Sequence, residues 1–242
     1  MRIVSLVPSL TELLFDLGLD EEVVGITKFC IHPEPWFRTK KRVGGTKQVH
    51  LDIIQNLSPD LIIANKEENT REQIEALQNE YKVLLTDIHT LSQSLETIQD
   101  IGLAVNRQHA ADELCVGINK AIQTCANQRS QQKVLYIIWN DPIMAAGNDT
   151  FIHAMLEAAG WQNIINTSRY PVLEESHIHE LQPDLIYLSS EPFPFAEKHQ
   201  QAWQEKFPKS KVVLVDGEFF SWYGSRMLQA FPYFSRLHAS LT

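Results

Sequence analysis

The sequence predicts an α/β protein of two similar lobes, each built on a parallel sheet, joined by one long α-helix. Three observations predict it. A phrase recurs: Asn56-Leu57-Ser58-Pro59-Asp60-Leu61-Ile62-Ile63-Ala64 in the first half and Glu180-Leu181-Gln182-Pro183-Asp184-Leu185-Ile186-Tyr187-Leu188 in the second, each a helix end, a Pro-Asp pair and a short apolar strand. The order of elements around it recurs as well. Each half opens with a strand (Ile3 to Val7; Val134 to Trp139) and a helix stopped by Gly (Leu10 to Gly18; Phe151 to Gly160). Each then passes the Pro-Asp strand and reaches a Lys-Val-rich strand ending in Asp (Lys82 to Asp87; Lys211 to Asp216). Between the halves, Arg107 to Arg129 places Ala110, Leu114, Ile118, Ala121, Ile122 and Cys125 at spacings of three and four with no proline, the pattern of one amphipathic helix. Roughly 22 residues of helix span about 33 Å, the width of a small domain. The chain therefore divides into a first Rossmann-like lobe over residues 1–105, a connecting helix over 106–130 and a second such lobe over 131–242.

With 44% hydrophobic residues in 242, the chain can bury a proper core. The net charge of −9, from 21 basic against 30 acidic residues and without a basic tract, argues against a nucleic-acid partner. Nothing approaches 18 consecutive apolar residues, so no membrane span is expected. Met1-Arg2-Ile3-Val4-Ser5-Leu6-Val7-Pro8 moves straight into a core strand, and no signal peptide is expected in the sequence as written. Of the three cysteines, Cys115 and Cys125 stand ten residues apart on the proposed helix. That is roughly 15 Å, beyond the about 7 Å a disulfide allows, so the chain is no disulfide scaffold.

In chain order, the first strand runs into Ser9-Leu10-Thr11-Glu12, the spacing of a capping box, and Leu10, Leu13, Leu14 and Leu17 give the following helix an apolar face. Val23 to Ile26 is a short strand. The prolines of Thr27-Lys28-Phe29-Cys30-Ile31-His32-Pro33-Glu34-Pro35-Trp36 predict an irregular loop. Gly44-Gly45 is a turn, Leu51 to Leu57 a short helix, and Asn69, with Glu72 three residues on, a helix cap. Lys82 to Asp87 is a strand, Thr90 to about Val105 a helix, and Asn106, tolerant of the left-handed conformation, the bend before the long helix. In the second half, Lys133 to Trp139 is a buried strand emptying into a loop at 140–149, and Phe151 to Ala159 is a helix. Arg169-Tyr170-Pro171 is irregular, His177 to Leu181 a short helix, and Leu185 to Leu188 the strand. Ala196 to Phe207 is helical, Val212 to Asp216 the last inner strand, Gly217 to Gly224 a loop, and Met227, Leu228 and Phe231 belong to a C-terminal helix.

Open parallel sheets bind ligands outside the carboxyl ends of their strands. If the long helix sets those ends facing, the loops after the strands line one cleft between the lobes. Candidate ligand-binding residues in these loops are Pro8, Ser9, Lys28, Phe29, Trp36, Lys66, Trp139, Arg169, Tyr170, Phe193, Trp222 and Tyr223. Aromatic faces bury large flat ligands, and Lys28, Lys66, Arg169 and Arg226 answer anionic groups. Phe219 and Phe220 read as lobe core, whereas Trp222-Tyr223 before Gly224 reads as exposed.

Catalytic signatures are missing: there is no Gly-x-Ser-x-Gly, phosphate-binding loop, dinucleotide fingerprint or His-Glu-x-x-His. Cys30-Ile31-His32 and His177-Ile178-His179 have the alternation of metal pairs, but on the short helix predicted at His177 residues two apart diverge. No enzymatic activity, no intrinsic cofactor and no resident metal site are expected.

Val4-Ser5-Leu6-Val7-Pro8-Ser9-Leu10-Thr11-Glu12, the Leu-x-Pro-Asp-Leu-Ile strand at Leu57 to Ile62 and the mid-chain helix resemble the cobalamin-binding and iron-siderophore-binding members of the helical-backbone (class III) periplasmic substrate-binding proteins of ABC importers. The resemblance spans essentially the whole chain. It implies a cleft ligand that is a large metal chelate, a corrinoid such as cobalamin ahead of ferric siderophore or haem, small closure motions and delivery to a membrane permease by a monomer. Family members dock through one glutamate on each lobe. By position these are Glu72, with Glu68 a rival, and Glu197 at a helix start, where acidic residues also serve simply as dipole partners. The family is usually exported, so a periplasmic or membrane-associated location is implied, and a start at the first strand leaves a leaderless cytoplasmic sensor or chaperone open. An enzyme or metallochaperone using Cys30 and His32, and a regulatory module with a vestigial cleft, are the rival readings.

Overall fold

The computed structural model describes residues 1–126, 130 and 132–241. Two compact units emerge. The first comprises Met1–Ile88, Ser92–Ile118 and Trp222–Arg226; the second comprises His89–Leu91 and the described residues of Asn119–Ser221 and Met227–Thr242.

In the first unit, β1 (Ile3–Ser5), α1 (Pro8–Asp16), β2 (Val23–Ile26), α2 (Glu34–Thr39), β3 (Lys41–Arg42), α3 (Leu51–Leu57), β4 (Leu61–Asn65), α4 (Arg71–Gln78) and β5 (Val83–Thr86) alternate along the chain. The sheet order is β3-β2-β1-β4-β5 and every pairing is parallel, as helical crossovers between successive strands require. The central strands are buried throughout because both faces are covered, and they are apolar up to Ser5 and Asn65 at their carboxyl ends. Val4, Leu6, Ile54, Ile62, Ala64, Ile74 and Leu77 form one side of the core. Then follow α5 (Leu91–Ala104) and α6 (Gln108–Ala126), with Asn106 between them in the predicted left-handed conformation (φ 57°). On α6 the buried residues are Ala111, Cys115, Ile118 and Cys125, so the apolar stripe is turned from the expected one, with Ala110, Leu114, Ala121 and Ile122 half-buried at its margin. The expected end of this helix, Asn127 to Arg129, lies outside the described residues.

Three local expectations are corrected here. There is no capping box at Ser9-Leu10-Thr11-Glu12: α1 starts at Pro8 with Val7 as an extended N-cap and no capping side chain. Proline at the first helical position already removes one unpaired N–H, and Glu12 is engaged elsewhere. The Pro33-Glu34-Pro35 stretch is the start of α2, not irregular chain, because both prolines fall at the N-cap and in the first turn, where no N–H is needed. Asn69 does not cap α4; Thr70 holds that position, and Asn69 is turned inward.

The second unit contains β6 (Lys133–Asn140), β7 (Ile143–Ala145), α7 (Phe151–Ala159), β8 (Gln162–Asn163), α8 (Glu175–Leu181), β9 (Leu185–Ser189), α9 (Glu197–Lys206), β10 (Lys211–Val215), α10 (Glu218–Ser221) and α11 (Met227–Leu241). Its sheet runs β10-β9-β6-β7, with β8 pairing the start of β6. It is not wholly parallel, since β7 returns antiparallel to β6 as a hairpin, so part of the expected loop at 140–149 is strand. The segment after Gly217 likewise is helical at α10 rather than all loop. Thr150 caps α7 by accepting from the His153 N–H at 3.2 Å, and Gly160, at φ 94°, ends it.

The repeated Pro-Asp phrase has one physical job in both units. Ser58 (φ 44°) and Gln182 (φ 47°) are left-handed helix C-caps. The following Asp accepts from the backbone N–H just before or at the start of the opening strand: Arg2 N to Asp60 Oδ2 at 2.7 Å, and Lys133 N to Asp184 Oδ2 at 2.8 Å. Each Asp N–H donates back to the same residue's carbonyl, at 2.8 Å and 2.9 Å. This reciprocal pair sets the register between the first strand and its neighbour.

Candidate functional site

The carboxyl edge of the first unit's sheet gathers the loops after its five strands, and buried polar groups tie them together. Asn65 donates to Thr86 Oγ1 at 3.0 Å, and its backbone N–H donates to Asn69 Oδ1 at 2.9 Å. Asn69 donates in turn to the carbonyls of Thr46 at 2.9 Å and Leu6 at 3.3 Å, joining the loops after β1, β3 and β4. Thr11 donates to Ser5 Oγ at 2.8 Å and lies 3.1 Å from Cys30 Sγ, which is 3.2 Å from the Thr27 hydroxyl. Cys30 thus anchors its loop from below. Burial pushes its thiol pKa up, opposed by the bonds to Thr11 and Thr27, so it is a poor nucleophile or metal ligand. Cys30 is buried, whereas His32 is half-buried.

Above this base the chain presents Phe29 (51% exposed) and Ile31 (45%), with Lys28 Nζ 5.0 Å from the Phe29 ring centre. Lys66 donates to Asp87 Oδ2 at 2.8 Å across the edge; both groups face solvent, where such a pair holds weakly enough for an anionic ligand to compete. Pro8 is half-buried at the start of α1. Four candidates are placed differently from expectation. Ser9 is buried. Trp36 is core, 1% exposed, edge-on to Phe15 at 5.3 Å, with its indole N–H donated to Asp20. Trp222 and Tyr223 are buried, not exposed, at 8% and 7%. Arg226 is no free cation either: its Nε donates to Glu12 Oε2 at 2.8 Å, its Nη2 lies 2.8 Å from Oε1, and its guanidinium carbon sits 4.9 Å from the Trp222 ring centre. The Glu12 partner is what sequence reasoning missed, since 214 residues separate the pair.

In the second unit, Trp139 is 38% exposed, and its ring packs edge-on to half-buried Phe193 at 5.6 Å. Its indole N–H donates to the Asp141 carbonyl at 3.0 Å. Arg169 is exposed in the left-handed conformation with its guanidinium 5.6 Å from the centre of half-buried Tyr170. That loop is seated by Gly147, whose N–H donates to the Arg169 carbonyl at 2.7 Å; a Cβ at Gly147 would stand 2.0 Å from the Thr167 carbonyl oxygen. Phe219 is half-buried and stacks on Tyr233 at 4.7 Å, while Phe220 is core as expected. A polar girdle again underlies the edge: Tyr136 donates to Ser189 Oγ at 3.1 Å, Ser189 to the Glu191 carbonyl at 2.6 Å, and Ser221 to Glu191 Oε1 at 2.6 Å. A separate groove of about 580 Å³ on this unit, lined among others by Asp141, Glu174, Leu173, Trp203 and Phe207, contains none of the candidates.

Glu72 and Glu197 are exposed in the first turns of α4 and α9. Glu68, by contrast, is partly withdrawn, and burial raises its carboxyl pKa against the pull of Lys47. Among the described residues no cluster of three or more His, Cys, Asp or Glu has metal-binding proximity, and no helix is long and apolar enough to cross a membrane.

The sequence pattern of the periplasmic binding protein family matches residues 3–213. The chain belongs to that family. Within it, the chain is 27% identical over 242 residues to an uncharacterised ABC transporter substrate-binding lipoprotein of Bacillus subtilis (strain 168), covering 94% of this chain and 76% of the relative. It is 23% identical over 237 residues to the vitamin B12-binding protein of Pectobacterium carotovorum, covering 95% and 85%. Among solved structures, the periplasmic heme-binding protein HutB of Vibrio cholerae superimposes with a TM-score of 0.84 over 100% of this chain and 98% of that one, at 21% identity. The two-lobed α/β expectation is borne out by this shared fold.

Proposed function

We propose that this periplasmic binding protein is the substrate-binding component of an ABC importer and carries a large metal chelate, a corrinoid ahead of haem or ferric siderophore. The observation that carries the reading is the family match over residues 3–213, whose relatives include a vitamin B12-binding protein. The exposed apolar surface of Phe29 and Ile31 and the Trp139–Phe193 pair support it, because a protein edge that leaves such groups to water offers them to a flat ligand. In this reading the protein is a monomeric carrier, not an enzyme, with no resident cofactor, working outside the cytoplasmic membrane. It meets its permease through Glu72 and Glu197, whose exposure supports that role and whose helix-start positions also suit them to the helix dipole. Buried Cys30 weakens the enzyme rival.

The test is a thermal-shift and absorbance titration of metal-free protein with cyanocobalamin, haem, a ferric hydroxamate and a ferric catecholate. A hundredfold excess over Kd stabilises the native state by about 2.7 kcal/mol, so a true ligand raises the midpoint by several degrees. No shift with any of them refutes the reading.

A further inference from the structure

The groove of about 580 Å³ on the second unit holds none of the candidate ligand residues, and one wall of it is an open sheet edge. β7 is the last strand of its sheet, and the chain from Pro171 to Leu173 lies along it. The Ala145 N–H donates to the Pro171 carbonyl at 3.2 Å and the Leu173 N–H to the Ile143 carbonyl at 2.9 Å, with Met144 and Val172 facing each other as an antiparallel bridge. In such a ladder the residue between two bonds of this kind turns its own N–H and C=O to the far side. Val172 therefore presents one donor and one acceptor outward, and among the described residues no hydrogen bond reaches either. Its side chain is 57% exposed. Unpaired edge groups beside exposed apolar surface are a template for another strand.

The groove says which strand fits. Its floor is apolar and fixed: Leu173, Trp203 and Phe207 are buried, and the Trp203 indole N–H donates to Asn140 Oδ1 at 3.0 Å. Its charge is negative. Lys206 is taken up by Glu175, whereas the exposed Asp141 and Glu174 have no ion-pair partner among the described residues. Val172 and Glu174, two apart on extended chain, share a face.

We infer that this edge docks an extended peptide segment of a partner protein, added antiparallel to Val172, with an apolar residue opposite Val172 and Arg or Lys opposite Glu174. The residue opposite Val172 exchanges both backbone hydrogen bonds with it, which gives attachment. The groove takes the apolar side chain, and the uncompensated carboxylates choose basic over acidic sequence. The inference does not rest on the chelate reading, and either can fail alone.

The experiment is an anisotropy titration of the full chain with the labelled, end-blocked peptide Thr-Arg-Thr-Val-Thr-Arg-Thr, which places Arg two residues from Val on both sides. The expected result is saturable binding that weakens with added salt and falls about tenfold in Glu174→Lys. Val172→Pro, which removes the outward N–H and keeps both bonds to β7, weakens it as well. Binding is lost when the peptide's Val is N-methylated or its Arg residues are replaced by Glu. No saturable binding to the native chain, equal binding of the Glu peptide, or binding unchanged in either variant overturns the inference. Equal binding of the N-methylated peptide also overturns it, since the groove then takes a basic side chain without a strand.

Discussion

Replacing Arg226 by Met tests whether the Glu12–Arg226 pair holds the segment from Trp222 to Arg226 against α1. The side chains are 10% and 13% exposed and meet through two contacts of 2.8 Å. Removing the guanidinium leaves the Glu12 carboxylate largely buried without its Arg226 contacts, and breaking a buried pair in this way costs about 3–5 kcal/mol. Because Glu12 keeps some access to water, the lower end applies, about 3 kcal/mol. At about 2–4 °C per kcal/mol for a chain of this size, the midpoint falls by about 6–12 °C. Arg226→Met combined with Glu12→Gln loses less than the single variant, since the group left behind is neutral. Denaturant unfolding followed by tryptophan fluorescence, with the double-mutant cycle completed by Glu12→Gln, measures the coupling. An Arg226→Met loss under about 0.5 kcal/mol, or a double variant whose loss is the sum of the singles, refutes the reasoning.

Further outcomes follow from the same geometry. Trp36→Ala lowers stability by about 3–5 kcal/mol, as for a large buried aromatic, with little direct effect on ligand affinity, whereas Phe29→Ser weakens chelate binding and leaves the midpoint within about 0.5 kcal/mol of the native protein; paired melting and titration curves separate the two. All three cysteines are buried with thiol pKa values raised by burial, so none reacts promptly with a thiol reagent at neutral pH and all three react after denaturation; one fast native thiol contradicts this. Glu68→Gln raises the melting midpoint at neutral pH. Burial lifts the folded carboxyl above its ordinary 4.5, so its stabilising contribution is complete below that value and is lost as the pH rises through the folded pKa. The advantage of the Gln variant therefore closes on acidification, and an advantage independent of pH counts against the cause given.

What was legible in the sequence was what repeats or is periodic. Phe151–Ala159 and Leu51–Leu57 form helices with the expected bounds, because a capping residue or an apolar face marks them locally. The Pro-Asp phrase was legible as punctuation, but its cause was not, since the Asp60 and Asp184 carboxylates bond to Arg2 and Lys133, 58 and 51 residues away. The short strands β3, β7 and β8 escaped because two or three residues carry no period. The aromatics of the candidate site misled for a related reason. A loop tryptophan has no alternation to say which side it faces, and the deciding partners are distant: Asp20 for Trp36, and the Glu12–Arg226 pair behind Trp222.

The layered build of the first unit's carboxyl edge bears on how tightly it can hold a ligand. Asn65, Asn69, Thr11, Thr27 and Cys30 are all buried and all bonded within the protein, so moving any one loop leaves a buried polar group unpaired at about 1–3 kcal/mol. Phe29, Ile31 and His32 are therefore presented on a loop whose shape is fixed from beneath, and little ordering is left for binding to oppose. A flexible loop with the same three side chains would lose about 0.5–1.5 kcal/mol for each rotamer-rich group immobilised. If this edge holds the proposed chelate, its inward side sets part of the affinity, and loosening it by Asn69→Ala is expected to weaken binding without altering Phe29 or Ile31, which paired titrations of the variant and the native chain measure.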